Sequence, residues 1–199
     1  AASSAAASAA RSEPGSAGTS APASESALPP MVCLTFDDGP SRTTPAVLEA
    51  LADEEVPATF FVVANENNER YLPLIRQAQQ AGHEIALHSA SHRYSDIYRS
   101  TGAFWADIEL LRQRIAPYAD AAAIACLRFP GGSTNTVSRK YGGDAIMQDL
   151  KAQAEARGWR WVDWNVSAED AAGKKLSAEE ICRNVTRGSE GRDRCIVLM

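Results

Sequence analysis

Two neighbouring carboxylates follow an apolar run early in the patterned part of the sequence. Asp37 and Asp38 stand in "TFDDGP", at the end of the run that starts with "MVCL". Two adjacent carboxylates repel each other, and keeping both ionised requires a cation or an arginine nearby. The same letters suit a solvated turn, because Asp, Gly and Pro all favour turns. On its own, this stretch leaves a turn and a functional site equally open.

Two of the chain's three histidines, His88 and His92, lie together in "HSASH". If this segment turns helically, the spacing of four residues brings both imidazoles to one side. Two neutral imidazoles and one carboxylate form a common open coordination set for Zn²⁺ or a similar divalent ion. One aspartate of the neighbouring pair could bind that metal while the other stays free as a base. The third histidine, His83, is interpreted as structural.

Arg128 is a charged residue inside the apolar run "AIACLRF". A charge in such a run needs an anionic partner, and a free aspartate at a neighbouring rim would supply one. Pro130, Gly131 and Gly132 follow it and predict a tight turn without side-chain bulk, useful where a substrate approaches the backbone. The alternative is an ordinary turn beside a surface arginine.

Six apolar runs alternate with helical patterns after residue 30. The predicted strands span 31–36, 58–63, 83–88, 123–129, 159–166 and 195–199, and the predicted helices span 43–55, 71–82, 101–118, 142–158 and 177–188. This alternation indicates parallel strands buried on both faces. The fold class is α/β, either a (β/α) barrel or a doubly wound open sheet. Both place active sites at the carboxyl ends of strands, where the residues singled out above stand.

Length and charge limit the classes of function. The 199 residues suffice for one well-buried domain, and a net charge of −5 argues against a nucleic-acid partner. Residues 1–30 are rich in Ala, Ser, Pro and Gly, which predicts a disordered linker ahead of a domain at 31–199. No apolar run reaches the length needed to cross a bilayer.

The four cysteines show no CxxC pairing and no zinc-ribbon spacing. Cys33, Cys126 and Cys195 stand in apolar runs and are interpreted as small buried hydrophobic residues. A disulfide between Cys182 and Cys195 in an oxidising compartment is the alternative.

Together these motifs resemble those of the NodB-like polysaccharide deacetylases, carbohydrate esterase family four. "TFDDGP" is similar to the family's first motif, which implies Asp37 as general base and Asp38 as metal ligand. "HSASH" matches its His-Ser/Thr-x-x-His motif, which implies His88 and His92 as the other ligands. "RFPGG" is similar to its arginine motif, which implies that Arg128 orients the base.

The last two family motifs match less completely. The fourth is an Asp-Trp pair after a strand, and it aligns with Asp170 followed by Ala171, where tryptophan is usual. Asp163 and Trp164 have the right letters but stand earlier, inside the predicted strand. The fifth motif is an apolar strand running into a histidine. "CIVLM" is similar to that approach up to Met199, so the resemblance implies a chain cut just before its acid histidine.

The resemblance implies an incomplete, distorted (β/α) barrel of parallel strands, with six strands present. It implies a metal-dependent hydrolase acting on C–N bonds other than peptide bonds, which removes N-acetyl groups from peptidoglycan or a chitin-like polymer. One divalent ion, Zn²⁺ with Co²⁺ or Ni²⁺ as alternatives, is the expected cofactor. Asp170 would tune the acid, and without its histidine this chain is expected to bind metal but turn over poorly or not at all. The expected substrate contacts are Tyr94, Pro130, Gly131 and Trp164.

Two other functions stay open at this point. One is a metal-bearing glycan-binding module without catalysis, and the other is a related amidohydrolase or O-acetyl esterase. The expected partner in each main case is a polysaccharide such as peptidoglycan, bound by a monomer. The linker at 1–30 favours an extracellular or cell-surface protein tethered at the cell wall, although the sequence shows no signal or anchor segment.

Overall fold

The computed structural model describes residues 29–171, 173 and 175–199. The strands in this part are β1 Met31–Asp37, β2 Ala58–Val63, β3 Glu84–Ser89, β4 Cys126–Leu127, β5 Arg160–Trp161, β6 Val166–Ser167 and β7 Arg194–Leu198. The helices are α1 Thr44–Asp53, α2 Pro73–Gln80, α3 Tyr94–Ile97, α4 Thr101–Ile115, α5 Arg139–Gly142, α6 Ile146–Ala156 and α7 Ala178–Ser189, with a 3₁₀ turn at Glu69–Tyr71. The predicted linker at 1–30 lies outside the described residues except for its last two positions.

The strands form one parallel sheet in the order β5-β4-β3-β2-β1-β7-β6. β1 lies inside the sheet, where Leu34 pairs with Ala58 of β2 on one side and with Val197 of β7 on the other. Each connection between strands that are neighbours in both sequence and space contains a helix, because a parallel neighbour must be entered from the opposite end. The strand ends that carry the predicted motifs therefore meet at one rim of the sheet.

The main core lies between the sheet and the helices α2, α4 and α6. Helix α4 buries an apolar stripe made by Phe104, Ile108, Leu111 and Ile115. This spacing of three to four residues puts all four side chains on one helical face. Burial of this stripe fixes α4 against β3, whose carboxyl end carries the two histidines.

The sheet is curled, so that residues from strands that are not neighbours meet across its concave face. In a flat sheet β1 and β4 would lie about 14 Å apart, because neighbouring strands are spaced about 4.8 Å apart. Yet Nη1 of Arg128, which directly follows β4, lies 2.6 Å from Oδ1 of Asp37 at the end of β1. The fold is therefore an incomplete, distorted (β/α) barrel rather than an open sheet.

The predicted fifth strand at 159–166 is two short strands, so the described sheet has seven strands where six were expected. β5 pairs with β4, whereas β6 pairs with β7 at the opposite edge of the sheet. Between them, the N–H of Val162 donates to a β4 carbonyl at 3.0 Å and the N–H of Asn165 donates to a β7 carbonyl at 3.1 Å. A segment of four residues, 162–165, crosses from one edge to the other because the curl brings the two edges close together.

The four cysteines are free thiols in the structure. Cys126 and Cys195 are buried and Cys33 is half-buried, whereas Cys182 is exposed on α7 and is not bonded to Cys195. In the part of the chain that the structure describes, helices with the length and apolar character of a membrane span are absent.

His83 lies at the rim opposite the predicted site, as its structural interpretation required. It is buried, and its Nδ1 accepts a hydrogen bond from the N–H of Ala58 at 3.3 Å. Because Nδ1 acts as an acceptor, the ring is neutral with its proton on Nε2. Burial lowers the pKa of His83 below its ordinary value of 6.5.

We expect His83 to contribute to a loss of stability in mild acid, and His83→Gln to reduce that loss. A histidine whose pKa is lowered by folding contributes stability that is fully present above its unfolded-state pKa. That stability is lost as the pH falls from the unfolded-state pKa towards the lower folded-state pKa. Glutamine can accept the Ala58 N–H bond without titrating. Urea unfolding at about pH 8 and about pH 5 should show a larger loss of stability for the wild type than for the variant. Equal losses in the two proteins would contradict this assignment.

Candidate active site

Five of the predicted site residues meet at the carboxyl rim of the sheet. Asp37 ends β1 and Asp38 follows it, His88 lies in β3, His92 lies in the turn after β3, and Arg128 directly follows β4. Their convergence follows from the topology, because the carboxyl ends of parallel strands share one edge.

Asp38, His88 and His92 form a cluster with the spacing of a metal site. Oδ1 of Asp38 lies 3.5 Å from Nε2 of His88 and 3.2 Å from Nε2 of His92. Tetrahedral zinc with bonds of about 2.0–2.1 Å separates its ligand atoms by about 3.3 Å. One carboxylate and two imidazoles are also the donor types that such an ion takes, so these residues fit a divalent cation.

His88 is held in the tautomer that a metal ligand needs. Its Nδ1 lies 2.8 Å from the backbone carbonyl oxygen of Arg128, which can only accept, so Nδ1 carries the proton. The lone pair of Nε2 is left facing Asp38. Burial lowers the pKa of His88, which keeps the ring neutral. A carbonyl partner on the second nitrogen is the usual arrangement behind a metal-ligating histidine.

The two histidines are brought together by a tight turn, and the helical turn considered from the sequence is not formed. His92 adopts a left-handed conformation with φ of 53°, which is uncommon for a residue with a side chain. Its N–H donates to Oγ of Ser89 at 2.8 Å. The serine of "HSASH" thus fixes the position of the second histidine.

Asp107 of α4 holds this turn in place, and the sequence interpretation missed it. Its carboxylate accepts hydrogen bonds from the N–H of Ala90 at 2.8 Å, the N–H of Ser91 at 3.0 Å and the hydroxyl of Ser89 at 2.6 Å. A sequence signal for it does exist. Asp107 stands three residues after Phe104, so an acidic side chain flanks the apolar stripe of α4 and faces inward.

Arg128 is completely buried, with 0% of its side chain exposed, and its charge is paired inside the barrel. Its Nη1 donates to Oδ1 of Asp37 at 2.6 Å and to Oγ1 of Thr35 at 2.9 Å. The guanidinium carbon lies 3.9 Å from the ring centroid of Phe61. The sequence predicted an anionic partner at a neighbouring rim, and the structure places Asp37 in that position.

Asp37 combines the properties of a general base. Burial raises its pKa to about 6, and the charge and hydrogen bond of Arg128 oppose that rise. A carboxylate with a pKa near neutrality is ionised at neutral pH and still basic enough to accept a proton. A cation held by Asp38 would favour the ionised form further. The other oxygen of Asp37, Oδ2, lies 3.8 Å from Nε2 of His88 and so faces the metal-site cluster.

Two aromatic side chains flank the turn after Arg128. A Cβ on Gly131 would lie 2.7 Å from the hydroxyl oxygen of Tyr94, and a Cβ on Gly132 would lie 3.1 Å from the ring of Trp164. Both glycines have positive φ, 78° and 82°, values that residues other than glycine rarely adopt. The turn therefore needs glycine for space and for conformation. The roles of Tyr94, Gly131 and Trp164 as substrate contacts stay predictions.

Pro130, the fourth predicted substrate contact, is buried. Its carbonyl oxygen accepts a hydrogen bond from the hydroxyl of buried Tyr98 at 2.7 Å. Burial raises the pKa of Tyr98, so the phenol stays protonated and acts as a donor. No sequence signal marks Tyr98, because this contact joins residues 32 positions apart through a single hydroxyl.

The two aspartates considered for the fourth motif lie in different surroundings. Asp170 is exposed in the loop after β6, and within the described residues no hydrogen bond or ion pair joins it to the site. Asp163 lies at the rim, where its carboxylate accepts the N–H of Ser133 at 2.9 Å and the hydroxyl of Ser133 at 2.5 Å. The predicted role of Asp170 in tuning an acid stays a prediction.

Comparison with known proteins agrees with this geometry. Residues 25–149 match the family model described as polysaccharide deacetylase. The chain is similar to a chitooligosaccharide deacetylase of Bradyrhizobium sp. (strain ANU 289), with 36% identity over 146 residues that cover 71% of this chain and 58% of that protein. It is also similar to a peptidoglycan-N-acetylglucosamine deacetylase of Bacillus cereus, with 30% identity over 164 residues that cover 79% of this chain and 52% of that protein.

Solved structures show the same fold. The catalytic domain of peptidoglycan N-acetylglucosamine deacetylase from Eubacterium rectale ATCC 33656 superposes with a TM-score of 0.81 and 38% identity, covering 93% of this chain and 80% of that domain. The chain spans between 29% and 58% of the length of the first four curated relatives.

We expect Asp107→Ala to weaken zinc binding by about 10–100-fold, because the turn that places His92 loses the acceptor of three hydrogen bonds. Titration calorimetry with Zn²⁺ measures this affinity. Asp53→Ala is the matched control, since it removes the same charge from an exposed position at the end of α1. Wild-type affinity in Asp107→Ala, or an equal loss in both variants, would contradict the positioning role of Asp107.

Proposed function

This chain belongs to the polysaccharide deacetylase family, and we propose that it is a metal-dependent hydrolase that removes N-acetyl groups from an amino-sugar polysaccharide. The observation that carries the proposal is the pairing of a metal-site cluster with a separate, arginine-held carboxylate. Oδ1 of Asp37 is bound by Arg128 at 2.6 Å, whereas its Oδ2 faces the cluster. The names of the relatives support peptidoglycan or chitooligosaccharide as the substrate class.

Asp38, His88 and His92 would hold the cation. Zn²⁺ is our first choice, and Co²⁺ and Ni²⁺ are alternatives, because imidazole and carboxylate ligands suit several divalent ions. When bound, such an ion supplies Lewis-acid polarisation of the acetamide carbonyl and lowers the pKa of water. The exposure of Asp38 leaves one side of the cluster open to solvent and substrate.

Asp37 acts as the base in this proposal. Oδ2 of Asp37 takes one proton from water as the water oxygen bonds to the acetamide carbon. Arg128 keeps the carboxylate ionised and fixes its orientation through Oδ1, so that the oxygen facing the cluster is the free one. The C–N bond then breaks, giving acetate and a free amine on the sugar.

The leaving nitrogen must gain a proton before the C–N bond breaks, because an amide anion is a very poor leaving group. His88 and His92 face the cation position, and His83 lies at the opposite rim. In this proposal, each of the chain's three histidines therefore has a role other than donating a proton to the leaving nitrogen. We propose that the leaving nitrogen takes the proton that Asp37 gained from water, and that turnover by this chain is slow.

Tyr94 and Trp164 would flank the bound sugar on either side of the glycine turn. Peptidoglycan, one of the two substrates considered, lies outside the cell membrane. We therefore propose an extracellular or cell-surface location, with residues 1–30 as the tether and a monomer as the working form.

We expect Asp37→Asn and Asp38→Asn to separate catalysis from metal binding. Asp37→Asn should retain Zn²⁺ and lose about 10²–10⁴-fold in the rate of acetate release from N-acetylglucosamine oligomers, because the base is gone. Asp38→Asn should lose both Zn²⁺ and activity. Asp53→Asn, which removes an exposed carboxylate at the end of α1, is the control and should match the wild type.

Three outcomes would contradict the proposal. Unchanged metal content in Asp38→Asn would refute the ligand assignment. Glycan binding without any acetate release from the wild type would favour a non-catalytic binding module. Faster acetate release from O-acetyl xylan than from N-acetylglucosamine oligomers or peptidoglycan would favour an O-acetyl esterase.

A further inference from the structure

We propose that Asp163 is a positioning residue that fixes both the glycine turn and the guanidinium of Arg128, a claim that rests on the proposed function for its catalytic consequence. Asp163 lies in the crossing segment, which we define as residues 162–165. This segment is anchored at both ends, since Val162 donates to a β4 carbonyl and Asn165 donates to a β7 carbonyl. Between these anchors, Asp163 and Trp164 make no hydrogen bond to the backbone of any neighbouring strand that the structure describes, so the position of this part of the segment depends on its other contacts.

The carboxylate of Asp163 ties the crossing segment to the turn at residues 131–133. Both of its oxygens bind one residue: Oδ1 accepts the N–H of Ser133 at 2.9 Å and Oδ2 accepts its hydroxyl at 2.5 Å. Ser133 is buried, so these bonds have little competition from water. The preceding residues, Gly131 and Gly132, have positive φ and the conformational freedom of glycine, so the Asp163 bonds add to the contact between Tyr98 and the Pro130 carbonyl in holding the turn.

The backbone of the same segment binds Arg128. Its Nε donates to the carbonyl of Val162 at 2.9 Å, and its Nη2 lies 3.4 Å from the carbonyl oxygen of Asp163. The ring of Trp164 lies 5.5 Å from the guanidinium carbon. Because the guanidinium is planar and rigid, fixing Nε and Nη2 fixes the direction of Nη1, which is the atom that binds Asp37.

These contacts link three parts of the site in one chain of bonds. Ser133 holds Asp163, the crossing segment holds Arg128, and Arg128 holds the base Asp37. Loss of the Asp163 carboxylate should release the turn and let the crossing segment shift. A shift of about 1 Å in a catalytic group is enough to cost about a hundredfold in rate.

The first measurement follows the side chain of Arg128 directly and needs no turnover. Nitrogen-15 NMR reports solvent exchange of the Arg128 Nε–H, which the Val162 carbonyl protects in the wild type. We expect exchange to become at least about tenfold faster in Asp163→Ala and in Ser133→Ala. Asp163→Asn should stay near the wild type, because its amide can accept the Ser133 N–H and donate to the Ser133 oxygen. Asp144→Asn, at an exposed acid after α5, is the control and should match the wild type.

The second measurement is acetate release at saturating Zn²⁺. Asp163→Ala should lower kcat about 10–100-fold with Zn²⁺ affinity unchanged, because the metal-site residues lie directly after β1, on β3 and in the turn after β3. The double variant Asp163→Ala, Ser133→Ala should be no slower than Asp163→Ala alone. Asp163→Asn should recover most of the lost rate.

Two results would overturn the proposal. One is wild-type exchange of the Arg128 Nε–H in folded Asp163→Ala. The other is faster exchange with wild-type kcat, which would leave Asp163 with a structural role only. If the wild type releases no acetate, the proposed function fails, and the exchange measurement alone then decides whether Asp163 positions Arg128.

Discussion

The guanidinium of Arg128 is a full positive charge inside a curled sheet, and much of the site follows from the need to pair it. Removing one partner of a buried ion pair typically costs about 3–5 kcal/mol, so the structure must supply acceptors from several directions. Asp37, Thr35 and the carbonyl of Val162 do so from β1 and from the crossing segment. These acceptors can surround one side chain only because the sheet curls.

The two neighbouring aspartates avoid mutual repulsion by having different partners. Asp37 is 13% exposed and is paired with Arg128, whereas Asp38 is 61% exposed and faces the two histidines. The backbone leaves the extended conformation at Asp38, which has a positive φ of 63°, and both carboxylates approach Nε2 of His88, Oδ2 of Asp37 at 3.8 Å and Oδ1 of Asp38 at 3.5 Å. One dipeptide can therefore provide a candidate base and a candidate ligand a few ångströms apart.

The convergence of residues that stand at strand ends could be predicted from the sequence alone. Asp37, Asp38, His88 and Arg128 were predicted to converge because each follows or ends an apolar run, and parallel strands share a carboxyl edge. Features that depend on the curl were not predictable in this way. The split of the predicted strand at 159–166 requires knowledge that the two sheet edges approach each other.

Supporting residues were the hardest to predict, because they act through contacts between distant parts of the chain. Asp107 lies on a helix 15 residues after His92, and only its place beside an apolar stripe hints that it faces inward. The tight turn that joins the histidines depends on Asp107, so a helical turn was the default expectation. Asp163 was considered only as an alternative to Asp170, whereas in the structure its carboxylate binds Ser133 at the rim.

The most direct test of the account is a double-mutant cycle between Arg128 and Asp37, measured as acetate release from an N-acetylglucosamine oligomer at saturating Zn²⁺. Arg128→Lys keeps the charge but lacks the planar fork that binds Oδ1 of Asp37 and the Val162 carbonyl together. If Arg128 acts through the base, Arg128→Lys slows the wild type by about tenfold or more and slows Asp37→Asn no further. An equal slowing in both backgrounds would contradict the account, because Arg128 would then act independently of Asp37.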